Sequence, residues 1–446
     1  MATAEPARTP NIVFIMADDL AAHDLSYSGR PDYQTEHIDQ LASDGVLLTS
    51  AYSNSASCSP TRVALLSGRY QNRLDVGNYD PIVDGQRIGF PANENTIAKA
   101  FAAKGYSTGL VGKWHLGELP SFGPLKSGYG SFFGLHGSHV DYHSHDSSAP
   151  GTDLRKKDLF ENETPVDLTG YLTDLISDKS IEFINRHHND PFFLSVHYTA
   201  PHWPWQGPDH GSEPRQNDIH FDGGTPETYK SMVLSMDRGI GRIRQTLAEL
   251  DLTEDTIIVF TSDNGGERYS YQWPLRGTKM DLWEGGIRVP GIVSWPAKIT
   301  PGTSSDQVIL SMDWWPTLMG LTSSAITTQN ADLDGVDLSA QLLGGDRIER
   351  TVFWRTQWDH AVRSGDKKYL NREGREYLFD LSRDPMERAN LRLKNSSETE
   401  RIKSLYAEWS AQMQPIPLDA RMPRSTYETL EALNPPQFPP QLNQSN

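Results

Sequence analysis

Residues 11–16 read Asn11-Ile-Val-Phe-Ile-Met16 and run into Ala17-Asp18-Asp19. A short β-branched apolar run without alternation predicts a strand buried on both faces. Two carboxylates then stand at its C-terminal end. Runs of the same kind occupy residues 192–197 (F-F-L-S-V-H), 256–260 (T-I-I-V-F) and 291–295 (G-I-V-S-W), and helical patterns over 96–104, 172–186 and 229–250 lie between them. Strands alternating with helices predict an α/β fold, a mostly parallel central sheet flanked by helices on both faces. Ligand chemistry in such sheets gathers beyond the carboxyl ends of the strands. Asp18-Asp19 and Thr261-Ser-Asp-Asn-Gly-Gly266 both fall there. This pattern extends over residues 8–345. The texture then changes to short strand-like pieces at 351–355, 369–370 and 377–381, a helix over 396–413 and a Pro-rich tail from Pro415. Residues 346–446 are therefore expected to form a small C-terminal α+β subdomain.

The chain has 446 residues, of which 37% are hydrophobic and 22% charged. That is mass for about two to three domains and an ample core. Asp and Glu number 58 against 41 Lys and Arg, a net charge of −17. A field of that sign repels nucleic acid and anionic membrane surfaces, so neither is an expected partner. An anionic substrate would need a strongly positive local site. No run reaches the length of a membrane-spanning helix. Residues 1–10 carry no apolar signal core, so an export signal is expected to be absent or already removed, which leaves the compartment open. The single cysteine, Cys58, excludes an internal disulfide and a Cys-based zinc site.

Asp18-Asp19 alone could simply cap the segment that follows. A second acidic cluster changes that reading: Asp263-Asn264 also follow a buried strand, and Gly265-Gly266 let backbone approach a ligand closely. Three carboxylates and an amide oxygen make an all-oxygen donor set, which suits Ca²⁺ or Mg²⁺ better than zinc. Cys58 lies in Ala56-Ser-Cys-Ser-Pro-Thr-Arg62. Pro60 suits a first helical turn and Ser57 or Ser59 can cap it, which predicts Cys58 at a helix N-terminus, where backbone N–H groups stabilise an anion. Arg62, four residues on, shares its helical face. An inert buried thiol is the plainer alternative; the polar setting and the arginine speak against it. A strand running into Lys113-Trp114-His115 sends Lys113 and His115 to one side, and the P-loop spacing fails there. His202, in Pro201-His-Trp-Pro-Trp205, is a candidate general acid or base. Lys279, in Leu275-Arg-Gly-Thr-Lys279, is a candidate anion clamp.

Together these segments resemble the type I, formylglycine-dependent sulfatases of the alkaline phosphatase superfamily. Cys58-Ser-Pro-Thr-Arg62 with Leu65-Leu66-x-Gly68 resembles their first signature, and Gly105 to His115 resembles the second. The A-D-D, A-P-H-W-P, S-D-N-G-G and R-G-T-K elements fall in the family's order, with Ser67 where threonine is usual. Tyr377-Leu-Phe-Asp-Leu381 with Asp384-Pro385-x-Glu387 and Asn390-Leu391 is similar to the family's C-terminal strand and turn. The resemblance implies an alkaline-phosphatase-like sheet and conversion of Cys58 to Cα-formylglycine by a maturation enzyme. Its hydrate would attack sulfur through one hydroxyl and expel sulfate by collapsing to the aldehyde. It further implies one Ca²⁺ held by Asp18, Asp19, Asp263, Asn264 and the modified position 58. Lys113 and Lys279 would bind sulfate, and Arg62 would steady the diol. His115 would act as the base that collapses the adduct, and His202 as the acid that protonates the leaving alcohol.

The substrate is read from aromatic and imidazole side chains. Trp203, Trp205, His136, His139 and His143 are expected to line the mouth of the site, suiting a sugar or an aryl ring. A sulfated saccharide or small sulfate ester is the expected partner, with arylsulfatase activity as a family trait. Two alternatives stay open: a phosphate or phosphonate monoester hydrolase of the same superfamily, and a non-catalytic binder of sulfated glycans with an unmodified Cys58.

Overall fold

The computed structural model describes residues 8–83, 85–148, 155–210, 224–322 and 332–421. Its centre is a ten-stranded sheet. Five strands in the middle run parallel, in the spatial order Thr256–Ser262, Asn11–Ala17, Phe192–His197, Ser107–Lys113 and Ser131–Leu135. Gly291–Ser294 joins the sheet antiparallel to Thr256–Ser262, so the fourth of the buried runs reverses the direction of the other three. Short strands at Val46–Leu48 and Thr303–Ser305 extend that side.

The first strand shows why the sheet is covered twice. Successive side chains of a strand point to opposite faces. Ile12, Phe14 and Met16 enter one apolar core, and Val13, Ile15 and Ala17 enter the other. Each fully buried aliphatic side chain of this kind contributes about 1.5–3 kcal/mol. The first core is closed by helices Cys58–Ser67, Ile97–Ala102 and Trp314–Leu321. The second is closed by Glu36–Ser43, Leu172–His187 and Pro226–Glu249. Helix starts follow local chemistry. Thr96 accepts from the Lys99 amide at 3.0 Å, and Thr225 accepts from the Thr228 amide at 3.1 Å with Pro226 in the first turn.

Beyond residue 346 a four-stranded antiparallel sheet forms, Thr351–Arg355, Asp359–Ser364, Lys367–Arg372 and Arg375–Asp380, followed by helix Ser396–Ser410. Trp354 and Phe379 from this sheet share an apolar cluster with Tyr52, Ala64 and Trp283 of the larger unit. The start of the Pro-rich tail is tied down by a hydrogen bond from the Gln414 amide to the Asn72 carbonyl at 2.8 Å and another from the Tyr79 hydroxyl to Asp419 at 2.9 Å. The tail beyond residue 421 lies outside the described residues.

Candidate active site

The carboxyl ends of the central strands converge on one buried point. Ala17 and Ser262 lie opposite each other in register, which sets Asp18 beside Asp263. Asp19 then turns the chain into the left-handed region, with φ 63°, a conformation an aspartate tolerates better than most residues. This turn resolves the problem that neighbouring side chains on a strand face opposite ways. The Asp19 amide donates to Asp263 at 3.2 Å, and one oxygen each from Asp18, Asp19 and Asp263 lie within 4.8 Å of one another. Asn264 donates its amide N–H to Asp19 at 2.6 Å. Gly265 is required for close approach, since a Cβ there would stand 1.9 Å from the Gly285 carbonyl oxygen.

Cys58 is the first residue of helix Cys58–Ser67, every residue of which is buried. The serines on either side do not cap it. Ser57 instead donates to Asp80, and the Ser59 hydroxyl accepts from the Ile82 amide at 2.8 Å. Burial pushes the Cys58 thiol up to about 11, against the pull of Lys113 and Lys279. Ligating atoms of Cys58, Asp18 and His202 lie within 4.8 Å of one another.

Each of the three acids has its own nearest cation, with Arg62 also 3.8 Å from Asp18. Arg62 donates to Asp263 at 2.7 and 3.1 Å, Lys113 to Asp18 at 2.5 Å and Lys279 to Asp19 at 2.8 Å. Burial, then Asp263, pushes Asp18 well above the usual carboxylate range although Lys113 opposes it. Asp263 is buried too, but Arg62, Lys113 and Lys279 hold its carboxyl below the ordinary value. Burial disfavours the charge on Lys279, yet Asp19 and the other acids hold its ammonium well above normal.

Both candidate histidines are kept neutral. His115 lies past the end of its strand in the left-handed region, φ 56°, so strand alternation does not set its direction as expected. Its Nε2 is 2.9 Å from the Ile82 carbonyl. Burial and then Lys113 push its pKa well down. His202 points Nε2 toward Asp19 at 3.6 Å, and its Nδ1 lies 2.5 Å from the Trp203 carbonyl. Burial, Lys279 and Lys113 depress it well below the usual imidazole value.

The residues expected at the mouth separate into two sets. His139 and Trp203 stack around His202, with ring centroids 6.2 and 4.8 Å from it. Trp205 instead packs on Tyr269 at 5.0 Å, and His143 lies 5.2 Å from Tyr171. His136 is buried between Phe132 and Phe160, at 5.0 and 4.5 Å, beneath the sheet edge. Sequence reasoning passed over His197, whose Nδ1 lies 3.3 Å from the Lys113 carbonyl and 3.4 Å from Arg62. Its place as the last residue of a buried strand was the available signal. Asp80, which anchors Ser57 beside Cys58, had none.

The donor set fits a divalent cation. Asp18 Oδ1 and Asn264 Oδ1 are buried without a hydrogen-bond partner, side by side with carboxylates that repel each other. A hard oxygen-seeking ion answers both features.

These features define a class: a mixed α/β protein in which buried acids, cations and position 58 are gathered at the carboxyl edge of the central sheet. The sulfatase family model matches residues 10–324. The chain is 32% identical over 379 residues to the N-acetylgalactosamine-6-sulfatase of Canis lupus familiaris, covering 79% of this chain and 70% of that one. It is 31% identical over 445 residues to arylsulfatase A of Homo sapiens, covering 86% and 84%. The crystal structure of Ps i-CgsB in complex with k-i-k-neocarrahexaose superposes with a TM-score of 0.84 at 27% identity, over 95% of this chain and 98% of that one. The chain belongs to the sulfatase family and is a sulfuric ester hydrolase. Among the described residues no helix is long and apolar enough to cross a membrane.

Proposed function

We propose that the protein is a carbohydrate sulfatase that also cleaves aryl sulfates, with position 58 matured to Cα-formylglycine and one Ca²⁺ held by Asp18, Asp19, Asp263, Asn264 and position 58. The observation that carries this reading is the state of Cys58. Its sulfur lies within 4.8 Å of polar atoms of Asp18 and His202, yet burial holds its thiol at about 11, so the unmodified side chain is a neutral, weak nucleophile. A hydrated aldehyde there would supply a hydroxyl nucleophile and a self-releasing adduct, and a bound divalent cation would polarise the ester.

The remaining work belongs to side chains of this chain. Lys113 and Lys279 reach the site through Asp18 and Asp19 and are placed to turn to sulfate oxygens. Arg62, fixed by two bonds to Asp263, holds its charge beside position 58 without moving. His202 faces the leaving-group side, under Trp203 and His139, and is proposed as the acid. The ester's negative charge works against the depression of its pKa. His115, anchored on the Ile82 carbonyl, is proposed as the base. Trp203 and His139 offer ring faces to a sugar. The saccharide preference is supported by the relatives: one is named N-acetylgalactosamine-6-sulfatase, and another is solved in complex with k-i-k-neocarrahexaose.

Peptide mass analysis spanning residues 57–62, from protein made with the maturation enzyme, should show CH₂SH replaced by CHO. Cys58→Ser should abolish turnover of an aryl sulfate while the melting temperature changes little. An intact thiol in protein of full activity, or turnover by Cys58→Ser at the parent rate, overturns the proposal. A higher kcat/KM for a matched aryl phosphate than for the sulfate would overturn the sulfate preference.

A further inference from the structure

The loop that delivers Lys279 to Asp19 has another side. Thr278, its neighbour, lines a cavity of about 450 Å³ that is lined also by Arg372 and by Met386, Glu387 and Arg388 of the C-terminal subdomain. That volume is in the range of sites that take small molecules. Its charge is arranged unevenly. The acids at the cavity are engaged: Asp281 lies 3.4 Å from Arg372, and Glu387 is fully buried, 2.8 Å from Lys368. Arg276 and Arg388 are exposed, and among the described residues neither is paired with a carboxylate.

Both of those guanidinium groups lie over indoles instead. Arg276 stands 3.7 Å from the Trp283 ring centroid and Arg388 stands 5.5 Å from that of Trp273. Ring contact fixes the position of a guanidinium and leaves its in-plane N–H groups for a planar, two-pronged oxyanion contact. In a chain of net charge −17, a recess with two such cations, one of them three positions from Lys279, is a local exception. Trp273 adds an indole surface against which a sugar ring can lie.

We propose that this cavity is a second anion subsite, in which Arg276 and Arg388 hold a sulfate or carboxylate on another sugar of the substrate chain while Lys279 holds the sulfate to be cleaved. The assignment rests on the saccharide reading above, and it makes the enzyme selective for multiply charged oligosaccharides over single sulfated sugars. Charged hydrogen bonds of this kind are worth about a factor of ten or more each.

The test compares the parent enzyme with Arg276→Ala and Arg388→Ala, on 4-nitrophenyl sulfate and on two probes, a chondroitin sulfate tetrasaccharide and a carrageenan hexasaccharide. Each substitution should lower kcat/KM for a cleaved oligosaccharide about tenfold through KM, and leave the aryl sulfate within about twofold. The loss should shrink as salt is raised. Equal losses on both substrate types, or no loss on either, overturn the subsite. If the parent hydrolyses neither oligosaccharide, the saccharide reading of the reaction fails separately. Calorimetric titration with the same two probes then decides the cavity: binding weakened by Arg276→Ala and Arg388→Ala sustains it, and unchanged or absent binding overturns it.

Discussion

Lys368→Met is the substitution on which the joint between the two parts of the molecule can be tested most sharply. Lys368 is fully buried, with its ammonium 2.9 Å from Glu284 and 2.8 Å from Glu387, both also fully buried. Glu284 opens the short helix after the Lys279 loop, and its amide donates to Glu387 at 2.7 Å. Methionine fills nearly the same volume but leaves two carboxylates sharing a buried site, with Arg288 at 3.2 Å as the closest remaining cation on Glu284. Breaking one partner out of a buried pair costs about 3–5 kcal/mol, about a fifth or more of the stability of an ordinary domain. For 446 residues unfolding together, an entropy of about 2.1 cal/mol/K per residue gives close to 1 kcal/mol per degree, so the midpoint should fall about 3–5 °C at pH 8. The sign with pH is fixed. Without the lysine both carboxyls prefer the neutral form when folded, so their folded pKa values rise above the unfolded ones, and stability is lost as pH rises. The deficit should therefore be clearly smaller at pH 5 than at pH 8. Differential scanning calorimetry at both pH values measures it. A drop of under about 1 °C at pH 8, or one that is the same at pH 5, would refute the reasoning.

Burial, with Glu284 adding to it, raises Glu387 from 4.5 to about 7 despite Lys368, so its contribution is full below pH 4.5 and lost as pH rises through about 7. Glu387→Gln should flatten the fall in melting temperature over that window, and an unchanged slope counts against the assignment. Chelation of Ca²⁺ should lower the melting temperature and re-addition restore it, by about 3 kcal/mol when the ion stands a hundredfold above its Kd; Asp263→Asn should remove the response, and an identical response in that variant contradicts the ligand set. Gly265→Ala sets a Cβ 1.9 Å from the Gly285 carbonyl oxygen. Backbone has to move, so a loss of about 1–3 kcal/mol and a fall in kcat are expected, and parent-like stability and rate would show that the loop is not packed as described.

What could be read in advance divides along sequence distance. Asn11-Ile-Val-Phe-Ile-Met16 was legible as a strand because burial on both faces removes polar residues from the run itself. Asp359–Ser364, by contrast, reads D-H-A-V-R-S, and no apolar run marks it. It is a strand because Ala361 and Val362 fill two different apolar clusters while Arg363 reaches the Tyr52 hydroxyl at 2.6 Å. Arg62, Lys113, Lys279 and the acids stood out because each lies in a short motif with its own local chemistry. The Glu284–Lys368–Glu387 group did not, since its members are 84 and 103 positions apart and only the folded chain brings them together. His115 shows the other limit: the two-residue spacing predicts a ring on the side of Lys113, but a positive φ past the strand end decides where it goes.

The one-to-one pairing of Asp18 with Lys113, Asp19 with Lys279 and Asp263 with Arg62 explains how so much charge can be buried in one place. Counted as ions, the three acids and three cations cancel, and each would cost several kcal/mol if its partner were withdrawn. A neutral set has no net pull on an anionic ester, so the lysines alone cannot provide the positive site that a chain of −17 requires. Lys113 and Lys279 can turn to sulfate only if Asp18 and Asp19 keep a counter-charge. A divalent ion on the unpartnered oxygens of Asp18 and Asn264 would provide that charge and would leave the set with a surplus of two. Arg62 needs no such exchange, because its two bonds to Asp263 can persist beside position 58 throughout. If the site takes both, its sulfate affinity and its affinity for a divalent cation would be two readings of one coupling, and each would strengthen the other by the same factor.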